Sequence, residues 1–444
     1  MSAHALGLAL PLAAGLPFAA MLLSLALLPL WTPRWWDSNR NKAIVAALCA
    51  VPASVQLIAG FGADGAQLVL HSARDYLSFL ALIGALFVIT SGIHLEGSLS
   101  GTPLMNTAFL ALGGVLANLF GTTGASVLLI RPLLRANAPR QNKAHVVIFF
   151  IFVVANCGGL LTPLGDPPLF LGFLKGVPFA WTLQLWKPWL LVNGLLLVLF
   201  NFWDQAVFDR EERERPGSQL EEVMRHEPLR VRGAHNLVFL FAIVAIVFAS
   251  GSGWGNRGEA WPFGWQEGSM VAIACAAYAS TSGENRVRNR FGFAPLLEVA
   301  VLFAGIFLTM APALAILNAR GSELGLEHPW HFFWASGSLS SFLDNAPTYL
   351  TFAATAAGIH GIAAEGRYLE QFLALGPAAA RLLAAVSAGS VFMGANSYIG
   401  NGPNFVVKAI AEENGVVMPS FFGYLRYSIG ILIPIFAIVS LVLL

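Results

Sequence analysis

The sequence predicts an all-α, polytopic membrane protein, and three observations carry this prediction. Hydrophobic residues make up 57% of the 444 residues and charged residues only 11%, which is about half the charged share of an average soluble domain. Several apolar stretches exceed the roughly 18 residues that mark a membrane-spanning helix. Similar polar motifs recur in the two halves of the chain. We therefore expect about 11 spans in two related repeats, located in the inner (plasma) membrane.

Windows of apolar residues locate the individual spans. Two spans, over 145–175 and 377–410, are interrupted by Gly, Pro and Asn. The apolar run at the N-terminus has no Lys or Arg before it, so it is predicted to be the first span and not a cleaved signal peptide. The other predicted spans lie near 5–30, 43–61, 75–93, 104–120, 188–208, 235–250, 268–281, 295–318 and 420–444.

A dense run of mixed charges over 209–234 divides the chain. Such a run is typical of a solvated linker, so we predict a first membrane half over 1–208, a cytoplasmic linker and a second half over 235–444. Segments near 117–139 and 331–360 are too short and too polar to cross the membrane twice, and we predict that they are re-entrant hairpins. Non-helical backbone at membrane depth occurs only where protein buries it or a water-filled cavity lines it, so these hairpins indicate an internal site.

The order of these parts indicates an inverted repeat. Each half contains spans, a hairpin, an interrupted span and a final span, and a shift of 222 residues places Thr123 on Asn345. Arg and Lys cluster after the first hairpin, in the linker and again after residue 285, and such clusters are enriched in cytoplasmic loops. All three clusters lie on one side when the hairpins enter from opposite sides. The same orientation places the loop with Arg34 and Arg40 outside, against this rule. Weak internal symmetry of this kind is typical of inverted-repeat transporters.

Charge and motifs exclude several classes of function. The formal net charge is +1, which offers no footprint for nucleic acid. Cys49, Cys157 and Cys275 lie in apolar segments at spacings that fit neither a disulfide framework nor a zinc site. Because no metalloprotease, serine-triad or redox motif is present, we expect no catalytic residues and no cofactor apart from a sodium ion or proton that is transported or coupled. The expected partners are the lipid bilayer and a small ion or molecule.

Asp166 is the strongest candidate for a binding residue in the first half. It follows Pro163 and Gly165 and precedes Pro167, and these residues cannot sustain a regular helix. The break exposes helix ends whose partial charges can hold an ion. A carboxylate at the bilayer centre costs about 3 kcal/mol or more, so it usually has a function. The alternative is that Asp166 only caps the second half-helix.

Asp344 is the corresponding candidate in the second half. Together with Asn345 and Thr348 it brings oxygen atoms to one short turn, which suits a sodium-like cation or an exchangeable proton. An Asp-Asn turn that caps a helix is the alternative. We predict a sodium-like site at Asp166, Asp344 and Asn345. The further predicted ligands come from the hairpin tips and the interrupted spans: Thr122, Thr123, Asn156, Thr162, Asn396, Ser397, Asn401 and Asn404.

Other polar residues are weaker candidates. Lys408 ends a half-helix and is expected either to snorkel or to act as a displaceable cation near the site. Interfacial solvation is the default expectation for five residues near predicted span ends: Asp75, His94, Glu96, His145 and Glu298.

The motifs resemble those of a known superfamily. The interrupted spans read ANCGGLLTPLGDPPLF (155–170) and ANSYIGNGPNFVV (395–407), and the second hairpin contains DNAPT. These segments resemble the ion transporter superfamily, in particular its citrate-transporter-like and sodium/proton-antiporter branch, with arsenite permeases as relatives. The resemblance covers roughly 70–410. It implies a scaffold domain, a transport domain with two opposed hairpins and, as is frequent in such proteins, a homodimer.

Two substrate classes stay open. The hairpin tips lack the Ser-Asn-Thr of the dicarboxylate branch, and Leu169 stands where members often have Asn. Asp166 and Asp344, with no arginine to clamp a carboxylate, favour sodium/proton antiport. Coupled transport of a small anion such as citrate, another carboxylate or arsenite is the alternative, because half-helix N-termini hold negative charge without arginine. A membrane enzyme or a structural subunit is a third and less favoured class.

Overall fold

The computed structural model describes residues 3–98, 100–214, 227–289 and 291–443, so 215–226 of the predicted linker lies outside the described residues. Within these ranges the chain is an all-α polytopic membrane protein, as predicted. Seven of the described helical segments are long and apolar enough to cross a membrane, and two shorter apolar ones accompany them. This count is lower than the 11 predicted spans, because one broken helix contains two of them, the predicted spans over 145–175 and 235–250 are the two shorter segments, and the one over 268–281 is in neither group. The re-entrant path of the hairpins and the inverted orientation stay predictions.

The helices follow one another through short connections. Two strands, β1 (His94–Ser98) and β2 (Glu227–Arg232), pair as an antiparallel ribbon. The helices are α1 Ala3–Ala9, α2 Leu16–Trp31, α3 Pro33–Trp36, α4 Asn39–Ser91, α5 Pro103–Ala136, α6 Ala144–Val153, α7 Pro167–Leu174, α8 Trp186–Glu214, α9 Asn236–Gly251, α10 Trp265–Ser280, α11 Gly283–Arg288, α12 Ala294–Arg320, α13 Pro329–Ser340, α14 Asn345–Ile359, α15 Tyr368–Ala374, α16 Pro377–Met393, α17 Gly402–Glu413, α18 Phe421–Tyr427 and α19 Ile433–Leu443.

Helix α4 consists of two arms joined at a sharp bend. Gly62 adopts φ 55° and ψ −123°, a conformation that a residue with a Cβ atom adopts only with strain. The chain folds back beyond the bend, since a side chain at Gly65 would collide with the carbonyl of Leu57. The predicted spans over 43–61 and 75–93 lie in these two arms.

Helix α5 also doubles back on itself and forms the first hairpin. Gly121 bends the chain with φ 73° and ψ 154°. A straight helix of this length would hold its ends about 50 Å apart. Instead, Asn106 near the start exchanges hydrogen bonds of 2.9 and 2.8 Å with Asn137 just beyond the end. The hairpin therefore comprises the whole of α5, where the sequence predicted a span over 104–120 and then a hairpin over 117–139.

Helices α13 and α14 form the second hairpin and meet at a turn over 341–344. Asp344 is the N-cap of α14, and its Oδ1 accepts a hydrogen bond from the backbone N–H of Ala346 at 3.0 Å. The hairpin packs closely on α12, where Asn318 Nδ2 donates to the carbonyl of Ala354 at 2.8 Å. The Asp344 cap therefore fixes the start of α14, and the contact with α12 fixes the rest of this arm of the hairpin.

The two interrupted spans are broken in the same way. Helices α6 and α16 are each followed by a short 3-10 turn, over Cys157–Leu160 and Gly394–Asn396. Helices α7 and α17 then begin after Asp166 and Asn401, whose backbones are extended with nearly equal angles (φ −147°, ψ 145° and φ −151°, ψ 138°). A proline in the first turn of each half-helix removes an N–H that would have no helical partner there. The two breaks are therefore equivalent in local structure.

These broken elements pack against a wall of helices that includes α4 and α12. Helices α4 and α12 face each other in this wall, where the rings of Phe79 and Phe303 stack with centroids 4.6 Å apart. Gly305 allows the close approach, because a side chain there would meet Ala46. In contrast, residues 147–155 leading into the first break have no exposed surface. The breaks thus lie at the centre of the packed protein.

The β1–β2 ribbon lies at one end of the wall. Glu96 forms ion pairs with Arg232 at 2.7 Å and with Arg288, and the Arg232 hydrogen bond holds the pKa of the Glu96 carboxyl below its ordinary value. His94 Nδ1 lies 2.6 Å from Asn289 Oδ1. The interfacial interpretation of His94 and Glu96 is therefore incomplete, since both tie separate segments together.

Candidate ion-binding site

Asp166 lies at the centre of the molecule, in the first break. The residues around it, from Pro163 to Pro168, cannot continue a helix, so the chain becomes extended and α7 starts at Pro167. Only 1% of Asp166 is exposed. Although it occupies the N-cap position, its side chain accepts no capping hydrogen bond from α7. The carboxylate is thus free to bind other segments, which argues against capping as its only role.

Three neutral donors from three other segments surround the Asp166 carboxylate. Thr122 Oγ1, at the tip of the first hairpin, donates to Oδ1 at 2.7 Å. Asn345 Nδ2, at the tip of the second hairpin, donates to Oδ2. Asn401 Nδ2, in the second break, lies 3.3 Å from Oδ1. Both hairpin tips and both breaks therefore meet at one carboxylate.

No described ion pair includes Asp166. The donors are a hydroxyl and two amides, which carry no formal charge. A buried carboxylate of this kind is normally paired with a cation, coordinated to a metal or neutralised by a proton. The centre therefore has the chemistry of a site for one proton or one small cation.

Asn345 supplies a further oxygen at this centre. The residue has no exposed surface, and its Oδ1 has no hydrogen-bond partner. An orphaned buried carbonyl oxygen is expensive unless something binds it. Rotation of the amide would turn Oδ1 toward the Asp166 carboxylate, an arrangement that a shared proton or cation satisfies. Among the described residues no group of three or more His, Cys, Asp or Glu could hold a metal ion, and the oxygen atoms at this centre come from a carboxylate and an amide.

A network of hydrogen bonds between asparagine side chains supports the Asp166 centre. Asn401 Nδ2 also lies 3.1 Å from Asn156 Oδ1, and Asn156 Nδ2 donates to Asn404 Oδ1 at 2.7 Å. Asn404 in turn donates to the carbonyls of Gly394 and Ser397. Asn156, Asn401 and Asn404 were all predicted ligands. Their hydrogen bonds connect the two breaks and hold the Asn401 amide next to Asp166.

The other predicted ligands brace neighbouring turns and do not touch Asp166. Thr348 Oγ1 donates to the Asp344 carbonyl at 3.0 Å, one turn back in its own helix. Thr162 Oγ1 donates to the carbonyl of Asn118. Ser397 and Asn396 both bind Ser341, in the turn of the second hairpin, through its carbonyl and its hydroxyl respectively.

A cavity of about 580 Å³ leads from the wall helices to the centre. Thr123 and Asp344 line it together with Thr122, Gly165 and Asn401. Asp344 uses Oδ1 to cap its helix and forms no described hydrogen bond with Asp166. The predicted joint site of Asp166, Asp344 and Asn345 is therefore divided, with Asp166 and Asn345 in contact and Asp344 in the cavity wall.

The cavity also contains charged residues that the sequence did not single out. Lys42 is 4% exposed and forms an ion pair of 2.7 Å with Glu298 across the wall. Asp37 lines the same cavity. Glu298 was expected to be solvated at a span end, and its side chain is indeed 43% exposed near the start of α12, but it also lines the cavity and pairs with the buried Lys42.

Two further expectations have different outcomes. His145 is 6% exposed, and its Nε2 lies 2.8 Å from Asp204 Oδ1, so it is a buried partner of an acid and not an interfacial residue. Lys408 forms an exposed ion pair with Glu412 at 2.8 Å, which agrees with the snorkelling alternative and leaves it outside the centre.

The contacts also adjust the alignment of the two repeats. Thr122 and Asn345 occupy equivalent positions, since each is the first residue of the second arm of its hairpin and each donates to Asp166. The predicted shift of 222 residues, which placed Thr123 on Asn345, is therefore off by one. In the breaks Asp166 corresponds to Asn401, and Leu169 corresponds to Asn404.

The family assignment agrees with this architecture. The family model described as "Putative citrate transport" matches residues 7–444, nearly the whole chain. A search of curated proteins gives no match. Broken helices that meet at a buried polar centre in a polytopic membrane protein are typical of secondary transporters. The chain therefore belongs to the citrate-transport family, and it is a secondary transporter.

Proposed function

We propose that the protein exchanges sodium for protons in the inner membrane and that Asp166 is the coupling residue. The observation that carries this proposal is a fully buried carboxylate that contacts both hairpin tips and both breaks and has no cationic partner among the described residues. Such a group binds either a proton or a small cation, so the two compete for it. Competition at one site is sufficient for exchange.

The charge of the cavity supports a cationic substrate. Its described lining contains three carboxylates and one lysine, and the lysine is already paired with one of the acids. A cleft with net negative charge and apolar walls raises the local concentration of cations. Asp37 and Asp344, which are not paired with Lys42, would thus attract sodium toward Asp166, and they would repel a free carboxylate.

Coupled transport of a small anion such as citrate is the second candidate. The description of the matching family favours it. The first residues of α7 and α17 and the N-cap of α14 also line the cavity, and the N-termini of helices favour negative charge. In this alternative Asp166 would bind the coupling ion, and the helix ends would bind the anion.

Everted membrane vesicles test the proposal. With a preformed pH gradient, added sodium or lithium should collapse the gradient in vesicles that contain the protein, and Asp166→Asn should abolish this response. Asp209→Asn is a matched control, because Asp209 is an exposed acid on α8 that does not line the cavity. Uptake of labelled citrate into proteoliposomes, together with a pH gradient unaffected by sodium, would reject antiport in favour of the second candidate.

A further inference from the structure

A second charged cluster lies at the far end of the half-helix that begins at Asp166. Lys175 is the C-cap of α7 and is 7% exposed. Its Nζ forms an ion pair with Asp75 and lies 3.2 Å from His71 Nε2. His71 and Asp75 are one turn apart on α4, and the same His71 nitrogen lies 3.9 Å from Asp75 Oδ2. Three titratable groups therefore share one contact between α7 and the wall.

Helix α7 connects this cluster directly with the coupling site. It has eight residues, so its two caps lie about 12 Å apart along a rigid rod. The Lys175 carbonyl also accepts a hydrogen bond from the Leu369 N–H at 3.0 Å, just after the second hairpin. A displacement of α7 at one end must therefore be transmitted to the other.

We propose that His71, Asp75 and Lys175 form a proton-sensitive latch that fixes α7 to α4 and thereby positions Asp166. The proposal rests on the proposed role of Asp166 as the coupling residue. The three side chains do not touch the bound ion and are positioning residues. The latch would make the position of the coupling carboxylate depend on the pH at the face of the protein where Lys175 lies.

The direction of the pH effect follows from hydrogen-bond chemistry. A lysine ammonium only donates, so the His71 nitrogen that faces Lys175 accepts and the ring is neutral in the closed latch. Protonation of His71 would place a second cation beside Lys175 and would let His71 compete for Asp75. The latch therefore holds while His71 is neutral and weakens as His71 becomes protonated at lower pH.

Other charged and titratable groups surround the latch. Arg74, on the same helix, and Glu365, near the second hairpin, act on His71 with opposite signs. The fully buried hydroxyl of Tyr368 lies near Asp75 and has no hydrogen-bond partner. These groups set the midpoint of the transition, and they do not reverse its direction, because the competition for Asp75 depends only on the charge of His71.

Labelling of a reporter cysteine tests the latch without any substrate. Phe342, at the tip of the second hairpin, lines the cavity and is 49% exposed. The reporter is Phe342→Cys in a chain whose three native cysteines are changed to Ala, and the readout is the rate of maleimide labelling in membranes from pH 5.5 to 8. His71→Gln in the same chain is the reference, because its side chain still accepts a hydrogen bond but does not titrate, so the pH dependence of the thiol cancels in the ratio.

The expected ratio of labelling rates changes about fivefold between pH 8 and pH 5.5, the effect of losing one ion pair that is partly buried. Relative to the same reference, Asp75→Asn and Lys175→Met should give the low-pH ratio of labelling rates at every pH, and exchange of the two charges in Lys175→Asp with Asp75→Lys should restore the high-pH ratio. A ratio that stays constant with pH would overturn the latch. Because this readout needs no transported ion, a failure of sodium exchange with a normal labelling transition would reject the proposed function and leave the latch standing.

Discussion

Two buried aspartates of this protein have nearly the same exposure and opposite surroundings. Asp166 is 1% exposed and is contacted only by neutral donors. Asp204, on α8, has no exposed surface and forms an ion pair with Arg140 at 2.6 Å, with His145 at 2.8 Å as a second partner. Asn106 donates to its other oxygen at 2.9 Å. One carboxylate thus has its charge compensated by the protein, and the other does not.

This difference separates a structural acid from a functional one. The Asp204 network joins the base of the first hairpin, the start of α6 and α8, and each of its members comes from the protein itself. A compensated charge has no need of a ligand. Asp166 is contacted by three other segments but by no positive charge among the described residues, so the missing charge must come from solution.

The largest expected effect is the loss of exchange in Asp166→Asn. The amide has the size of the carboxylate but carries no charge and does not titrate, so it cannot exchange a proton for sodium, and sodium-dependent collapse of a pH gradient should disappear. Thermal unfolding of the purified variant should occur at the same temperature or a higher one, because an uncompensated buried charge has been removed. Clear destabilisation of this variant would show that Asp166 is a structural residue like Asp204.

Asp204→Asn should behave in the opposite way. It leaves the fully buried Arg140 without its main partner, and breaking a buried pair lowers the free energy of unfolding by about 3–5 kcal/mol. Protein that stays folded should still exchange sodium for protons. Urea unfolding in mild detergent measures the first effect, and vesicle assays normalised to the amount of folded protein measure the second. Normal stability would refute the structural role.

Gly121→Ala should cost about 1–3 kcal/mol, because the tip of the first hairpin has φ 73° and ψ 154°. The added methyl group would also lie 3.2 Å from the Leu164 carbonyl oxygen, beside the break. Gly194→Ala is the matched control, since its Cβ would meet no atom within 4 Å in α8. If the two variants unfold at the same temperature, the claim that the tip of the first hairpin disfavours a side chain is wrong.

The smallest expected effects distinguish the capping role of Asp344 from a role of its negative charge in attracting cations. Asp344→Ala removes the hydrogen bond to Ala346 and should lower stability by about 1 kcal/mol. Asp344→Asn should keep the stability, because asparagine caps equally well. If Asp344 also attracts cations, both variants should raise the sodium concentration needed for half-maximal exchange. Unchanged sodium dependence in Asp344→Asn would restrict Asp344 to capping.

Local chemistry made Asp166 predictable from the sequence. Proline and glycine on both sides of one acid are visible without any knowledge of packing. Asn345 and Asn401 were predicted as ligands for similar reasons, but their contact with Asp166 depends on the packing of segments that are 179 and 235 residues away. The same limit applies to the tip of the first hairpin, where both Thr122 and Thr123 were predicted as ligands. Successive helical residues point about 100° apart, so Thr122 and not Thr123 reaches the carboxylate.

The buried charge pairs could not be predicted from the sequence, for a different reason. Lys175 and Asp75 are 100 residues apart, and Asp204 lies 59 residues from His145. Asp75 and His145 were each interpreted as a polar residue at the end of a span, and their partners Lys175 and Asp204 were not singled out. Only tertiary packing brings these partners together, and hydrophobic windows carry no information about it.

The two breaks have the same backbone but different caps, Asp166 in one and Asn401 in the other. The repeats therefore contribute a single negative charge to their common centre. A centre with one carboxylate neutralises one monovalent cation at a time. Under the proposed function, each cycle would carry one sodium ion one way and one proton the other, so transport would move no net charge, and the membrane potential would leave its rate unchanged.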